Sequence, residues 1–504
     1  MLPGFNSCNS GYRYTLLGVR TPTFSRTRIG LLVAAFVLIA CVGAAVHTFV
    51  DFETFSLWQV SPIPSVHDLP PLYAQYHARE LRLPQQDWNR TQPAEHEKYF
   101  FVSGFLIDVG WGNAFEEHLF NAYLAYRLGR TLVFANYTWR DDGSQYTHSF
   151  GHMIPSQIPF TALIRGPMVG ESWGPRYEHV PSAVTKTYFD HVCPSKTELH
   201  RREVHQNLPY ASDTEVIIDA WSKAASSVSD PCIQTRKDNG AVFTHQETFG
   251  VPGNLASIWT DLISSPLLTR FAWSSLIELA FDTNRDLFLP ASALADTPYL
   301  SALPYNASSN ASRYPQIPGL MVIHVRKGDY GSHCNTLASI GDPFVSANNF
   351  PSLPDAFLPP GVPGPVMPNG KVAGNWHATA AQRTYYRERC YPSIPEIVAK
   401  VRAVRATEAG RGIRRLHIMT NGKAPYIANL KRALWDAAPG EWDAISSSRD
   451  LGLNWEQKFV AQAVDVLVAQ RAQVLIGNGF STLTSNAVIM RLANNFTTDS
   501  IRFW

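Results

Sequence analysis

The sequence predicts a mixed α/β protein with two parallel, doubly wound sheets behind an N-terminal transmembrane helix. Two regions, one beginning near Lys98 and one spanning 316–504, alternate buried strands with amphipathic helices. That alternation is typical of β–α–β units, whose strands run parallel. The third observation is the apolar run 29–50, which contains no charged residue and precedes both regions.

Composition excludes several protein classes. The 504 residues are 45% hydrophobic and 17% charged, which is too apolar for a disordered or fibrous chain. The formal net charge is only +2, and residues 1–28 contribute arginines but no acid to that balance. A protein that binds nucleic acid through bulk positive charge would be far more basic, so no nucleic-acid partner is expected.

Residues 29–50 are predicted to cross a membrane as one helix. At about 1.5 Å per residue, their length matches a hydrocarbon layer of about 30 Å. A cleaved signal peptide is the alternative, but its apolar core would be shorter, about 7–15 residues. Arginines precede the run, whereas Asp51 and Glu53 follow it, so the positive-inside rule directs everything beyond residue 50 to the lumen. We expect a single-pass type II membrane protein of the Golgi or endoplasmic reticulum.

Glycosylation motifs and cysteines beyond residue 50 agree with a lumenal location. Their clustering after the anchor, rather than any single match, supports this inference. The glycosylation candidates are Asn89, Asn136, Asn306, Asn310 and Asn495. The disulfide candidates are Cys193, Cys232, Cys334 and Cys390. An even number suits two disulfides, for which three pairings are open, and free buried thiols are the alternative.

The rest of the chain divides into a stem and two lobes. Residues 51–97 are rich in proline and glutamine and are predicted to be a stem with little packed structure. The first lobe covers 98–315 and ends in a polar, turn-rich connection, and the second covers 316–504. Within the second lobe, the proline- and glycine-rich insert 341–374 is predicted to be a surface loop that could act as a lid.

The first candidate motif is the turn Asp108-Val-Gly-Trp-Gly-Asn113, between the first strand and the first helix of the first lobe. Glycines such as Gly112 let backbone N–H groups approach a ligand, and a helix N-terminus favours an anion. Asn113 could cap the helix and reach a cleft. An ordinary glycine turn with an asparagine cap is the alternative. The spacing does not match the GxGxxG dinucleotide fingerprint.

The second motif, HVRKGD from His324 to Asp329, follows the first strand of the second lobe. Ligands of open α/β sheets bind at the carboxyl ends of the strands. At that position Arg326 and Lys327 could hold a diphosphate, the arginine through a bidentate fork. His324 and Arg326 project to the same side of the strand. The alternative is an ion pair between Arg326 and Asp329.

The third motif is IGNGFSTLTS at 476–485. Gly477 and a second glycine follow a strand, and the hydroxyl groups of Ser481, Thr482 and Thr484 open a helix. Such a segment can cradle a phosphate without adding charge. A helix cap formed by Ser481 or Thr482 is compatible with that role.

Together the three motifs resemble the fucosyltransferase superfamily that contains the protein O-fucosyltransferases and the α1,2- and α1,6-fucosyltransferases. The matching segments are GWGN at 110–113, HVRKGD at 324–329 and IGNGFSTLTSN at 476–486, in the family's order and spacing. The resemblance implies a GT-B fold, in which two Rossmann-like lobes enclose a cleft. It also implies inverting, metal-independent transfer of fucose from GDP-fucose to a hydroxyl of a glycan or glycoprotein acceptor.

The resemblance also implies roles for individual residues. It places Arg326 at the β-phosphate with His324 beside it, and Asn113 near the reacting centre. The expected donor-binding residues are His324, Arg326, Lys327, Gly112, Asn113, Gly477, Ser481, Thr482 and Thr484. The expected catalytic residues are Arg326, Asn113 and Asp108, and the acceptor base is left open among Asp108, Glu116 and Asp329. No cofactor or metal is expected, and the sequence shows no obvious Asp-X-Asp metal site.

Three positions depart from the family pattern. Trp111 and Ala114 stand where members often carry arginine and glutamine, and Asn421 stands where many carry an acid. Two alternatives are therefore open. One is a GT-B transferase that uses another nucleotide sugar. The other is a non-catalytic, membrane-tethered protein that binds nucleotides or glycans.

Overall fold

The structure is a computed structural model that describes residues 69–149, 151–209, 212–237, 241–243, 246–250, 254–305, 309–360 and 378–504, without the side chains of 246, 250 and 254. These residues belong to one compact unit, Val66–Trp504. The predicted tail 1–28, the predicted anchor 29–50 and the first part of the predicted stem lie outside the described residues. Within the described ranges, no helix is both long and apolar enough to cross a membrane.

The elements of the first lobe and of the segment before it are numbered in chain order. The helices are α1 (Ala74–Glu80), α2 (Trp111–Arg127), α3 (Lys186–Val192), α4 (Arg201–Val204), α5 (Thr214–Ser226), α6 (Asn254–Ser264), α7 (Pro266–Thr269), α8 (Ser275–Thr283), α9 (Arg285–Phe288), α10 (Ala291–Leu294) and α11 (Asn310–Arg313). The strands are β1 (Tyr99–Phe101), β2 (Thr131–Phe134), β3 (Tyr137–Thr138), β4 (Tyr146–Ser149), β5 (His152–Pro155), β6 (Gln157–Ile158), β7 (Ile164–Arg165), β8 (Val184–Thr185), β9 (Thr197–Leu199), β10 (Cys232–Thr235) and β11 (Ala272–Trp273).

The second lobe continues the numbering. Its helices are α12 (Tyr330–Ile340), α13 (Ala380–Cys390), α14 (Ile394–Arg405), α15 (Ala424–Asp436), α16 (Ala461–Arg471) and α17 (Thr482–Ala493). Its strands are β12 (Ile317–Val325), β13 (Arg415–Thr420), β14 (Ala444–Ser447), β15 (Ala472–Gly477) and β16 (Ile501–Phe503).

Five strands of the first lobe form a parallel sheet in the order β8-β2-β1-β10-β9. Strand β1 lies at its centre, with Tyr99 opposite both Thr131 of β2 and Cys232 of β10. Every residue of β1 is buried, as expected for a parallel sheet covered on both faces. Phe100 packs in one core with Phe115 of α2, whereas Tyr99 belongs to the core on the other face. The parallel unit predicted to begin near Lys98 is confirmed.

The second lobe contains another five-stranded parallel sheet, in the order β14-β13-β12-β15-β16. Its central strand, β12, pairs with β13 from Leu320 to Val325 and with β15 from Met321 to Ile323. Alternate side chains of β12 enter different cores, as the strand period requires. Met321 and Ile323 pack with residues of α14 and α15, whereas Leu320 joins the core that both lobes share. The second predicted parallel sheet is therefore confirmed.

One hydrophobic core runs through both lobes. It contains Phe115 and Phe271 from the first lobe together with Leu475 and Val488 from the second. Helix α17 of the second lobe packs directly against α2 of the first. Because the first motif lies at the start of α2 and the third at the start of α17, this contact makes the two motifs neighbours in space.

The folded part of the chain begins earlier than the sequence predicts. In the described part of the predicted stem, 69–97, Tyr73 is 1% exposed and its hydroxyl donates to the Glu456 carbonyl at 2.8 Å. Gln86 is also buried, and its side-chain oxygen accepts a hydrogen bond from the Thr185 backbone N–H. The segment therefore packs on both lobes, because a few buried side chains outweigh its polar, proline-rich composition.

The first part of the predicted insert, 341–350, is buried or half-buried rather than exposed as a surface loop, whereas 351–360 includes exposed positions such as Leu358. Phe344 is 1% exposed, and its ring centroid lies 5.0 Å from that of Phe480. The Val345 backbone N–H donates to the Gly479 carbonyl at 2.9 Å. These contacts join the segment to the third motif, so it forms part of a cleft wall. Residues 361–377, including the end of the predicted insert, lie outside the described residues.

Candidate active site

A cleft of about 960 Å³ is lined by side chains of both lobes. The first lobe contributes the glycine turn at the start of α2 and parts of β3 to β6, and the second contributes α12, its flanking segments and the start of α17. Five residues predicted from three distant motifs lie in its wall: Gly112, Asn113, Arg326, Ser481 and Thr482. The fold therefore brings the three motifs to one place.

Arg326 places a positive charge in this cleft, and the alternative ion pair with Asp329 is present only as a long contact. It follows the last residue of β12, and its side chain is 29% exposed. The guanidinium carbon lies 4.9 Å from the Tyr330 ring centroid, and the Asp329 carboxylate is 3.9 Å from the nearest guanidinium nitrogen. The buried Nε has no hydrogen-bond partner among the described residues. An anion in the cleft could accept hydrogen bonds that no described residue accepts.

Tyr330 connects this arginine to the third motif. Its ring lies beneath the Arg326 guanidinium, and its hydroxyl donates to the Phe480 carbonyl at 2.6 Å. Burial raises the pKa of Tyr330 above its usual value, so the hydroxyl stays protonated and keeps donating. Tyr330 therefore holds the first turn of α12 against the segment that carries Ser481 and Thr482.

The first and third motifs are joined by two hydrogen bonds. The Thr482 hydroxyl donates to Asn113 Oδ1 at 2.5 Å, and Asn486 Nδ2 donates to the Gly112 carbonyl at 3.1 Å. A Cβ on Gly112 would lie 2.6 Å from Thr482 Oγ1, closer than real contacts allow, so only glycine fits. Since Thr482 occupies the Asn113 oxygen, the amide nitrogen of Asn113 is left without a partner in the described residues and can donate to a ligand.

Two predicted donor-binding residues, His324 and Thr484, lie behind the cleft wall. His324 is 2% exposed, and its Nδ1 lies 2.8 Å from Thr484 Oγ1. Burial and the nearby Arg326 lower the pKa of His324 to about 3, so the ring is neutral. Thr484 Oγ1 already accepts a hydrogen bond from the Asn478 backbone N–H. We therefore assign the Thr484 hydroxyl proton to the bond with His324, so that the hydroxyl donates to Nδ1. His324 and Thr484 therefore brace the motif from behind.

Gly477 is a packing glycine rather than part of an open cradle. A Cβ at this position would lie 2.1 Å from Thr484 Cγ2. The glycine is needed for the close approach of Thr484, whose hydroxyl binds His324. Of the segment 476–485 that was predicted to bind a phosphate, only residues 480–483 line the cleft.

Lys327 does not line the cleft. Its ammonium group donates to the Pro392 carbonyl at 2.7 Å and lies 3.8 Å from the Tyr391 ring centroid. Burial lowers the pKa of Lys327 to about 8. The next residue after Arg326 projects to the opposite side of the extended chain, which is why neighbouring basic residues take different roles. The predicted diphosphate clamp therefore reduces to Arg326.

The three carboxylates left open as acceptor bases do not line the cleft. Asp108 is exposed in a turn with φ of 57°. Asp329 is exposed and lines an adjoining pocket that shares Arg326, Tyr330 and His333 with the cleft. Glu116 is completely buried between the lobes, where it accepts a hydrogen bond from Ser485. Burial raises the pKa of Glu116 to about 8, so it is protonated at neutral pH.

Asp342 lines the cleft, although no sequence motif singles it out. It follows Gly341, which ends α12 with φ of 75°, and both backbone N–H groups donate to the Leu337 carbonyl. Its own carbonyl accepts a hydrogen bond from the Tyr386 hydroxyl at 2.9 Å. Burial raises the pKa of Asp342 to about 6. The only signal in the sequence is a glycine helix stop followed by an acid, inside a segment predicted to be a surface loop.

Aromatic side chains form the first-lobe wall of the cleft. Trp111, Tyr137 and Trp139 line it. Trp111 is 2% exposed, and its ring lies 5.7 Å from that of Tyr137 and 5.4 Å from that of Phe115. Trp111, one of the departures from the family pattern, therefore belongs to the first-lobe core and fills an apolar wall. Ala114 is likewise buried in that core.

The glycosylation candidates differ in exposure. Asn89 and Asn495 are exposed, and Asn136 is half-buried with its amide donating to Gln157 at 2.8 Å. Asn310 is 1% exposed, and its amide donates to the Leu268 carbonyl, so the folded chain has no room for a glycan there. Asn306 lies outside the described residues.

The four candidate cysteines form two disulfides. One joins Cys193 to Cys232 in the first lobe, and the other joins Cys334 to Cys390 in the second. The second bond links α12, which begins at Tyr330, to the end of α13. The nearest-neighbour pairing is therefore the one in the structure.

The described residues contain no cluster of three or more histidine, cysteine, aspartate or glutamate side chains placed to hold a metal ion. Asp141, in the Asp141-Asp142 pair that follows β3, is instead paired with Lys237 at 2.9 Å.

Comparison with known proteins gives structural neighbours only. No family model matches the chain, and no curated protein matches it. A structure of POFUT1, a protein O-fucosyltransferase, in complex with GDP has a TM-score of 0.44 at 14% identity, covering 81% of this chain and 98% of that chain. A POFUT1 complex with GDP-fucose has a TM-score of 0.42 at 14% identity, covering 78% and 94%. The apo form has a TM-score of 0.41 at 14% identity, covering 82% and 99%.

Proposed function

We propose that the chain is a glycosyltransferase that moves fucose from GDP-fucose to a hydroxyl group of a glycan or glycoprotein, with inversion at the anomeric carbon. The observation that carries the proposal is the position of Arg326. It lies at the carboxyl end of β12, in the same cleft as Asn113 and Thr482, with hydrogen-bond donors that no described residue uses. Three motifs that resemble one family in order and spacing thus meet at one cationic site.

The charges suit the departure of a nucleoside diphosphate. As the bond between the anomeric carbon and the β-phosphate oxygen breaks, negative charge grows on GDP. The Arg326 guanidinium can form charge-assisted hydrogen bonds to those oxygens, and such groups stabilise a transition state when they are fixed in advance. Stacking on Tyr330 fixes the guanidinium here. The Asn113 amide nitrogen and the Ser481 hydroxyl add neutral polar groups in the same wall.

The aromatic first-lobe wall supports an acceptor with a sugar or an apolar peptide surface. Trp139 is half-buried and exposes part of its ring to the cleft, whereas Trp111 and Tyr137 are buried and support it through ring contacts. Aromatic faces pack well against the C–H faces of sugars and against apolar side chains. We therefore assign the acceptor to the first-lobe side and the donor to the second-lobe side.

Metal independence is part of the proposal. The Arg326 guanidinium supplies the positive charge that a divalent cation would otherwise bring to the leaving diphosphate. Transfer should therefore continue in excess EDTA. A restoration of activity by Mn²⁺ or Mg²⁺ after chelation would contradict this point.

We also propose a type II membrane protein whose folded part lies in the lumen of the Golgi or endoplasmic reticulum. Two disulfides favour an oxidising compartment. Exposed sequons at Asn89 and Asn495, together with the apolar run 29–50, support the same topology.

A donor panel tests the proposed activity. The purified full-length chain is incubated with GDP-fucose, GDP-mannose and UDP sugars against a set of glycans and glycoproteins, and nucleotide release and sugar transfer are both measured. GDP-fucose should be the preferred donor. Preference for a UDP sugar would contradict the donor assignment, and nucleotide binding without turnover would contradict the assignment as an enzyme.

A further inference from the structure

We propose that Asp342 is the catalytic base that accepts the proton of the attacking hydroxyl group. This inference rests on the proposed function, because it names the base of that same reaction. It goes beyond the sequence, where Asp342 falls in a segment predicted to be a surface loop and no role is assigned to it.

The Asp342 carboxylate lies in the wall of the cleft. Among the described residues that line the cleft, Asp342 alone carries a carboxylate. A base must come within hydrogen-bond reach of the acceptor hydroxyl, so it has to face the same space as Arg326. Of the earlier candidates, Asp108 does not line the cleft and Glu116 is enclosed between α2 and α17. Asp329 lies in an adjoining pocket, where its carboxylate pairs with Arg326 at 3.9 Å.

The Asp342 carboxylate has no partner among the described residues, while its backbone is held by hydrogen bonds. The side chain of Asp342 forms no hydrogen bond or ion pair with any residue that the structure describes. Its backbone N–H donates to the Leu337 carbonyl at 3.2 Å, and its carbonyl accepts from the Tyr386 hydroxyl. Three residues later, the Val345 N–H binds the Gly479 carbonyl at 2.9 Å. The carboxylate is therefore held at a set place beside the third motif, with its oxygens free.

The surroundings of Asp342 also make its carboxylate more basic than usual. Burial raises the pKa of Asp342 to about 6, and no charged neighbour contributes to the shift. A carboxylate with that pKa is mostly ionised at neutral pH and is still a stronger base than an ordinary aspartate. Besides Arg326, the other titratable side chains lining the described cleft are His152, His333, Lys458, Tyr137 and Tyr330, and the Tyr386 ring packs from α13. His152 is exposed, and His333 has its own interaction partner.

The step balances without a further reactant. The acceptor O–H bond breaks, and its proton moves to a carboxylate oxygen of Asp342. The electron pair of that O–H bond stays on the acceptor oxygen, which forms the new bond to the anomeric carbon. The bond from that carbon to the β-phosphate oxygen breaks, and its electron pair leaves with GDP, stabilised by Arg326.

The test compares two nucleophiles in the full-length chain with GDP-fucose as donor. Water must lose a proton as it attacks, whereas azide is an anion that needs no base. Asp342→Asn keeps the side-chain size and should lower hydrolysis by about 100-fold or more, while formation of fucosyl azide changes by less than about threefold. Asp436→Asn, an exposed position at the end of α15, is the matched control and should change neither rate.

Equal hydrolysis by Asp342→Asn and wild type overturns the proposal. An equal loss of hydrolysis and of azide transfer also overturns it, because that pattern indicates a positioning role rather than proton transfer. A selective loss of hydrolysis in Asp329→Asn would move the assignment to that residue.

A measurement on the wild type guards against a variant that misfolds. Hydrolysis should decline on the acid side with a midpoint near pH 6, the value to which burial raises the pKa of Asp342. The rate of azide transfer should not decline over the same pH range. Identical pH profiles for both nucleophiles overturn the proposal.

The failure of the proposed function is distinguishable from the failure of the base assignment. If GDP-fucose neither binds to wild type nor reacts with it, the proposed function is wrong, and the base assignment is wrong with it. If the Asp342→Asn variant binds GDP-fucose and transfers fucose to azide but does not hydrolyse the donor, the defect is specific to the base.

Discussion

The Thr482 hydroxyl donates a hydrogen bond of 2.5 Å to Asn113 Oδ1, across 369 residues of sequence. The bond joins the start of α17 in the second lobe to the first turn of α2 in the first. It orients the Asn113 amide so that its nitrogen is free for a ligand in the cleft. The lobes therefore meet at the candidate active site itself.

We predict that Gly112→Ala disrupts this meeting point. The added Cβ would lie 2.6 Å from Thr482 Oγ1 and 2.8 Å from the Leu483 backbone nitrogen, so the helices must move apart. Overpacking of this kind costs about 1–3 kcal/mol of unfolding free energy. Denaturant unfolding and transfer assays measure both effects.

Gly110→Ala is the matched control for that experiment. A Cβ at Gly110 meets nothing within 4 Å, and its backbone is extended with φ of −65°. We expect its unfolding free energy to stay within about 0.5 kcal/mol of wild type. Equal effects of the two substitutions would show that the close contact with Thr482 is not what requires glycine at 112.

The buried carboxyl group of Glu116 predicts a stability that declines with rising pH. Burial raises the pKa of Glu116 from 4.5 to about 8 in the folded state. The folded chain therefore holds this proton more tightly than the unfolded chain, and the stabilisation is complete below about pH 4.5 and lost as pH rises towards 8. Within this window the slope for one group approaches about 1.4 kcal/mol per pH unit.

Glu116→Gln isolates that contribution, because the amide has a similar shape and does not titrate. Unfolding free energies of the variant and the wild type, measured between pH 5 and 8, should diverge as the wild type weakens. Burial raises the pKa of Glu80 to about 7 and that of Glu117 to about 8, but both are present in each protein and cancel in the difference. Parallel curves would mean that Glu116 is not buried as a neutral acid.

Glycan occupancy should follow exposure. With the full-length chain expressed in eukaryotic cells, we expect Asn89→Gln and Asn495→Gln each to lower the protein's mass by one endoglycosidase-sensitive glycan. Asn310→Gln should leave the mass unchanged and lower the melting temperature, because the Asn310 amide contacts both Leu268 and Gln470 in the core. A glycan at Asn310, or none at the exposed sites, would contradict the proposed topology or the fold at that position.

The sequence predicted those features that depend on neighbouring residues in the chain, such as strand ends and helix starts. A strand that ends in charged residues predicted Arg326 at a sheet edge, and a glycine turn before a helix predicted Asn113 at a helix start. The sequence also predicted His324 and Thr484 to bind the donor, but both lie behind the cleft wall. The periodicity of a strand or helix does not indicate which of its faces a distant element will cover. For the same reason Lys327, one residue beyond Arg326, was grouped with it although it binds the Pro392 carbonyl.

Asp342 shows the limit of composition as a guide. Proline and glycine in 341–374 predicted a surface loop, but the position of Asp342 depends on Phe344 packing over Gly479, where a Cβ would lie 2.4 Å from the ring. That contact joins residues that are far apart in the chain, and no local pattern encodes it. The same reason explains the early start of the fold, where Tyr73 reaches the carbonyl of Glu456.

We propose above all that Arg326 holds the diphosphate of a guanine nucleotide sugar in the interlobe cleft. Calorimetric titration of GDP into wild type and Arg326→Ala tests it most directly, with thermal melting to show that the variant is folded. Loss of a charge-assisted contact should weaken binding by about 10- to 100-fold and abolish transfer. Equal affinity for GDP in the two proteins, or an active Arg326→Ala protein, would contradict the claim.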